Sequence, residues 1–182
     1  MALDLADKVV ALHRAFDTAQ LSHAFGGALA LAWCTTEVRN TIDVDINVFV
    51  PTDRAANALA ALPHGVTYTD TELDLLTRDG QVRVRWDHTP VDLFLNTTDY
   101  HEQVAERIRR QPFMGEMMPY LACDDLAVFK AFFNRTKDWA DLEAMIEANR
   151  LDATAVLGTL TLYLGGDDER IARLRGLVTE LE

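Results

Sequence analysis

The chain has 182 residues and sets 17 Lys and Arg against 29 Asp and Glu, a formal net charge of −12. Hydrophobic residues make up 49% and charged ones 25%, a globular composition that excludes a disordered polyelectrolyte. The length suits one domain burying roughly 70% of its unfolded surface, and the acidity excludes general duplex binding, which needs clustered Lys and Arg against phosphates. It suits a metal ion or a cationic ligand.

In chain order, Met1 to Lys8 carries Asp4 and Asp7 where a secretory leader is basic and then apolar. No run approaches the ~18 apolar residues of a bilayer-spanning helix, so no membrane association is expected. Leu5, Val9, Leu12 and Phe16 recur at helical spacing and predict a helix over 4–20. Leu21 to Phe25 reads as a short extended segment closing on Gly26-Gly27, Ala28 to Trp33 as a helix, and Thr35 to Thr41 as a loop. Cys34 and Cys123 offer no disulfide framework and no CxxC metal spacing; they read as structural residues, and a reduced cytoplasm is the expected compartment. Val44 to Val50 is a strand ended by Pro51, and Asp53 is placed to cap an Ala-rich helix stopping near Pro63.

Gly65 to Thr69 reads as extended, and 70–78 is ambiguous. Asp79-Gly80 is a hairpin signal, after which Gln81 to Trp86 alternates Val82, Val84 and Trp86 against Arg83 and Arg85, and Val91 to Leu95 alternates again. From residue 99 the pattern is helical, over 99–110, 124–134, 137–148, 151–163 and 168–181. The expectation is one α+β domain, with a mixed sheet flanked by helices over 1–98 and a mainly helical part over 99–182.

The chemistry-bearing stretch is Gly26-Gly27 followed by Asp43-Val44-Asp45-Ile46-Asn47-Val48. Carboxylates at i and i+2 of a strand share a face, and such a pair is unfavourable unless a cation sits between them. A hard divalent ion is the natural occupant, although a merely solvated strand face would display the same residues. A calcium loop is excluded because its sixth position is Val48 and its twelfth is Arg54. Gly26-Gly27 opening a helix lets backbone N–H groups approach an anion, although a plain tight turn has the same sequence. A phosphate cradle and a carboxylate pair on successive elements are the two halves of a metal–nucleotide site. Asp92, with Phe94 and Asn96 on the face opposite Val91, Leu93 and Leu95, is the candidate third carboxylate.

Gly26-Gly27, the helix Ala28 to Trp33 and Arg39-Asn40-Thr41-Ile42-Asp43-Val44-Asp45 resemble the signature of the DNA polymerase β-like nucleotidyltransferase superfamily. Within it, the segment resembles AbiEii-type nucleotidyltransferases, toxins of bacterial toxin–antitoxin systems. Lys130 after Asp124-Asp125-Leu126, then Arg135-Thr136-Lys137-Asp138 with Asp141, is similar to the second motif of that family. The resemblance covers roughly 22–147 and implies Mg²⁺ (two ions with the nucleotide) on Asp43, Asp45 and Asp92, the last also acting as base. It further implies Gly26 and Gly27 around the phosphates, Arg39 and Thr41 lining that loop, positive charge from Lys130 and Lys137, and Asp138 orienting them. The implied activity is transfer of a nucleoside monophosphate from a nucleoside triphosphate to a hydroxyl of tRNA or protein, with a cognate antitoxin as partner. The alternatives are a compact antibiotic-type nucleotidyltransferase acting on a cationic sugar, and a nucleotide-binding or partner-binding module without turnover.

Among the other candidates, His23 reads as a packed histidine or a phosphate contact. Trp33 and Trp86 read as core, and Arg107, Arg109 and Arg110 as a solvated helix face.

Overall fold

The computed structural model describes residues 3–35 and 40–181. The chain falls into two compact units: residues 1–29 with 40–121, and residues 30–39 with 122–182.

The first unit is built on a seven-stranded sheet. Its elements are α1 (Leu5–Thr18), β1 (His23–Phe25), the start of α2 (Gly27–Cys34), β2 (Val44–Pro51), α3 (Ala55–Ala60), β3 (Val66–Thr67), α4 (Asp70–Asp79), β4 (Gln81–Trp86), β5 (Thr89–Asn96), α5 (Tyr100–Arg107), β6 (Arg109–Phe113) and β7 (Glu116–Tyr120). The strand order is β3-β4-β5-β2-β1-β7-β6. β2 pairs in parallel with β5 and antiparallel with β1, and β4 pairs antiparallel with β5.

Alternation sorts the two faces of this sheet. Val44, Ile46 and Val48 of β2, Val91, Leu93 and Leu95 of β5, and Val84 and Trp86 of β4 are all buried. The core side of α1 supplies Val9, Leu12 and Phe16, each fully buried. Lys8 of α1 reaches the β4–β5 hairpin, where its Nζ donates to Trp86 O at 2.9 Å and Thr89 Oγ1 at 3.0 Å and pairs with Asp87 at 3.3 Å. The opposite face of the same strands carries Asp45, Asn47, Arg83 and Asp92.

The second unit holds the rest of α2 and four helices: α6 (Cys123–Phe133), α7 (Thr136–Glu147), α8 (Ala153–Leu164) and α9 (Glu169–Leu181). Its core includes Leu126, Val128, Leu142, Met145, Leu160, Ile171 and Leu174. Asp124 accepts the Asp152 N–H at 2.8 Å, tying α6 to the start of α8. No helix among the described residues is long and apolar enough to cross a membrane.

Several local expectations are corrected. Asp53 lies inside a 3-10 turn (Thr52–Arg54) and caps nothing; Arg54 precedes α3. The ambiguous 70–78 stretch is the helix α4, begun by a capping box between Thr69 and Glu72. Gly80 closes that helix in the left-handed conformation (φ 68°), so Asp79-Gly80 is a helix end, not a hairpin. The hairpin turn falls instead at Asp87-His88, with Asp87 at φ 53° and Trp86 paired to Thr89. The helix expected to 110 stops at Arg107, and β6 and β7 follow around Met114-Gly115, both at positive φ. Arg109 and Arg110 therefore belong to an edge strand.

Cys34 and Cys123 form a disulfide. Residues 89 apart in sequence give no local sign of their proximity, and this bond removes the premise of the reduced-compartment expectation.

Candidate active site

Parallel pairing of β2 with β5 sets Asp45 directly beside Asp92, and antiparallel pairing of β4 with β5 sets Arg83 beside Asp92. A row Arg83–Asp92–Asp45 thus crosses three adjacent strands on one face, with the opposite face locked into the core. Asp43, two residues before Asp45, falls on the same face. Its backbone is shaped by Thr41, whose Oγ1 donates to Asp43 O and accepts from Asp43 N, both at 3.1 Å. Thr41 here orients the chain entering β2.

Arg83 is the group that sequence reasoning missed. Its Nε donates to Asp92 Oδ1 at 2.7 Å and its Nη2 to Asp92 Oδ2 at 2.6 Å, a bidentate fork. The same Nη2 donates to Asp43 Oδ2 at 3.1 Å. These bonds, those to Asp92 first, raise the guanidinium pKa further above its ordinary value. Among the described residues no three carboxylate, histidine or cysteine side chains converge as a formed metal cluster; Arg83 stands between Asp43 and Asp92. The signal was present in the sequence, since Arg83 alternates with Val82 and Val84. Knowing its partner required the register set by the Asp87-His88 turn.

The glycine pair lies against Asp45. Gly26 N–H donates to Asp45 O at 2.9 Å, extending the β1–β2 ladder, so that amide is already engaged. Gly27 opens α2 at φ +49°. A Cβ there would overlap Asp45 Oδ2 and lie 2.5 Å from Asp45 Cγ and 3.0 Å from Asp45 Cβ. Only glycine lets the start of α2 sit this close to Asp45. The amides of the first helical turn have no partners within the helix and carry the favourable end of its dipole. Arg39, assigned to this loop by the resemblance, lies outside the described residues.

The donor set suits a hard divalent cation. Asp45 of β2, Asp92 of β5 and Asp43, the residue before β2, lie on one sheet face, and Arg83 already demonstrates that a positive group bridges two of them.

The remaining predicted residues belong to the second unit. Lys130 is buried, its Nζ 2.6 Å from Asp141 Oδ2 and 3.8 Å from Asp138 Oδ1. Asp138 is 1% exposed and is gripped by Arg135 through Nε at 2.6 Å and Nη2 at 3.0 Å. Asp138 thus contacts both Arg135 and Lys130, while Lys137 is exposed on the first turn of α7.

His23 is a packed histidine. Its Nδ1 meets Leu21 O at 2.8 Å and its Nε2 meets His13 Nδ1 at 2.9 Å. The bond to a carbonyl places a His23 proton on Nδ1, and with that ring neutral its Nε2 accepts from His13 Nδ1. Burial, reinforced by the neighbouring His13 and partly opposed by the Leu21 carbonyl, pushes the His23 pKa down to about 4. Trp86 is core, whereas Trp33 is 39% exposed.

No family model matches the chain, and no curated protein sequence matches it. Solved structures do match in fold. The crystal structure of ANT(2'')-Ia in complex with adenylyl-2''-tobramycin is 14% identical, with a TM-score of 0.58 over 93% of this chain and 94% of that one. The solution structure of the antibiotic-resistance factor ANT(2'')-Ia is 13% identical, with a TM-score of 0.55 over 96% and 91%. A nucleotidyltransferase-like protein from Paracoccidioides brasiliensis follows at 16% identity and a TM-score of 0.44, over 94% and 91%. The mixed sheet flanked by helices is the polymerase β-like nucleotidyltransferase fold.

Proposed function

We propose that the chain is a metal-dependent nucleotidyltransferase that moves a nucleoside monophosphate from a Mg²⁺–nucleoside triphosphate to a hydroxyl acceptor. The observation that carries this reading is the row of Asp45 and Asp92 on paired strands, with Asp43 alongside and the Gly27 backbone against Asp45. Asp43, Asp45 and Asp92 would hold the metal, and when bound it supplies Lewis-acid polarisation of the phosphate oxygens. The chain's own residues do the rest. The first turn of α2 faces the triphosphate with amides that have no partner within the helix. Asp92 takes the proton of the acceptor hydroxyl as that oxygen attacks the α-phosphorus. The bond from the α-phosphorus to its bridging oxygen breaks, and pyrophosphate leaves.

For the acceptor, two observations favour a small cationic polyol. The net charge is −12, and the fold corresponds to ANT(2'')-Ia over 94% of that chain. An AbiEii-type toxin acting on tRNA or protein, with a cognate antitoxin, is the second reading; it is favoured by the Lys130–Asp138–Asp141 network, which coincides with the second motif of that resemblance.

The test incubates the protein with each α-labelled nucleoside triphosphate and Mg²⁺, against an aminoglycoside panel, total tRNA, or protein alone. Label on the drug supports the first acceptor, and label on RNA or protein supports the second. Label on nothing, with wild type and Asp43→Ala binding Mg²⁺–nucleotide equally, would sink the catalytic reading in favour of a binding module.

A further inference from the structure

The carboxylate that must accept a proton and share a metal is already paired with a fixed positive charge. Both oxygens of Asp92 accept from Arg83, and one oxygen of Asp43 accepts from the same guanidinium nitrogen. A divalent ion that takes Asp92 and Asp43 together comes within a few ångströms of the Arg83 guanidinium, a like charge already bound to the same carboxylates. Arg83 is not held by packing, because its side chain is 50% exposed while that of Asp92 is 16% exposed. An ion pair this exposed is easily exchanged. A guanidinium released from one bidentate acid fits the oxygens of a phosphate equally well.

We propose that Arg83 is a built-in counter-ion that occupies Asp92 and Asp43 until the metal–nucleotide complex arrives, then turns outward to a phosphate oxygen of the nucleotide. The proposal rests on the active-site reading above and adds an order of events. The metal alone is opposed by Arg83, and the triphosphate relieves that opposition by giving the guanidinium a new anionic partner. Metal and nucleotide are therefore positively coupled through one side chain.

Mn²⁺ binding, followed by the electron paramagnetic resonance of the free ion, tests this without turnover. Wild type, Arg83→Gln, Arg83→Lys, Asp43→Asn and Asp92→Asn are titrated with Mn²⁺ alone and with Mn²⁺ plus each of the four α,β-methylene nucleoside triphosphates. Removing a like charge a few ångströms from the ion should tighten Mn²⁺ alone about tenfold in Arg83→Gln. The tightest nucleotide complex should weaken about threefold or more in the same variant. Arg83→Lys keeps the charge without the fork and should fall between. Mn²⁺ affinity in Arg83→Gln within twofold of wild type, or weaker, overturns the proposal while leaving the active site standing. A nucleotide complex that tightens as much as Mn²⁺ alone removes the phosphate half. Wild-type binding that is absent, or indifferent to Asp43→Asn and Asp92→Asn, overturns the active-site reading itself.

Discussion

Replacing Gly27 by alanine separates a tight turn from a working one. Two costs add. Alanine at φ +49° sits in left-handed backbone, worth about 1–2 kcal/mol against glycine. The new methyl then meets Asp45 at three atoms, and these do not yield alike. Rotation about χ1 of Asp45 carries Oδ2 and Cγ away, at about 1 kcal/mol for an off-rotamer side chain. It leaves Asp45 Cβ where it was, 3.0 Å from the methyl. The start of α2 must therefore draw back from β2 by a few tenths of an ångström. The sum is about 2–3 kcal/mol of stability, a loss that leaves a protein of ordinary stability folded. The displacement falls on the Asp45 carboxylate and the helix amides together; a misplacement of about 1 Å costs about 10²-fold in rate, so this smaller one should cost several-fold. Urea unfolding gives the stability term. Nucleotide transfer, or Mn²⁺–nucleotide binding if the acceptor is still unidentified, gives the functional one. Gly80→Ala is the control: it also forces positive φ (68°), but at the end of α4 against Thr97. Equal functional losses in the two variants would refute the reasoning, because strain alone would then account for both.

Other expectations follow from the same geometry. His23 has an ordinary pKa of 6.5 that falls to about 4 in the folded chain, so the unfolded state binds the extra proton between those values. Stability should then fall as pH drops from 6.5 toward 4, by about 3 kcal/mol from this group. His23→Gln should flatten that decline in paired urea titrations, and identical slopes would count against it. Lys130→Met removes the ammonium held between Asp141 and the Arg135-bound Asp138, both buried, and should cost about 3–5 kcal/mol. Lys130→Met with Asp141→Leu should recover part of that loss in thermal melts. Reducing Cys34–Cys123, whose separation is 89 residues, should cost about 4–5 kcal/mol by chain entropy. A Cys34→Ala/Cys123→Ala variant should melt identically with and without reductant.

What the sequence made legible was what depends on period. Val44, Ile46 and Val48 against Asp45 and Asn47 announce a half-buried strand, and the same alternation isolates Asp92 from Val91 and Leu93. A carboxylate pair on one face follows from that alone. Pairing between strands was not legible, because register depends on where a turn falls. Asp79-Gly80 carries the stronger turn composition, yet Gly80 ends a helix and the less distinctive Asp87-His88 turns the hairpin. With the turn misplaced, Arg83 had no predictable partner. The β6–β7 hairpin was hidden for a related reason: Arg107 to Arg110 continues a helix-compatible run, and only the positive φ at Met114 and Gly115 folds the chain back. Gly26 shows a third limit. Its residue type suggested an amide offered to phosphate, but strand pairing commits that amide to Asp45 O.

The disulfide has a mechanical consequence. Cys34 and Cys123 bracket Asp43, Arg83 and Asp92, so all three lie inside a covalent loop. A chain pulled from its two ends transmits tension through the sulfur bridge and bypasses everything between the cysteines. Under oxidising conditions the strands that carry the carboxylates can come apart, yet they never lie on the line of force. Reduction places them on it and adds roughly 300 Å to the fully extended length, for the 89 residues released. Single-molecule extension with and without reductant would read that difference as a lengthening that maps directly onto the segment holding the site.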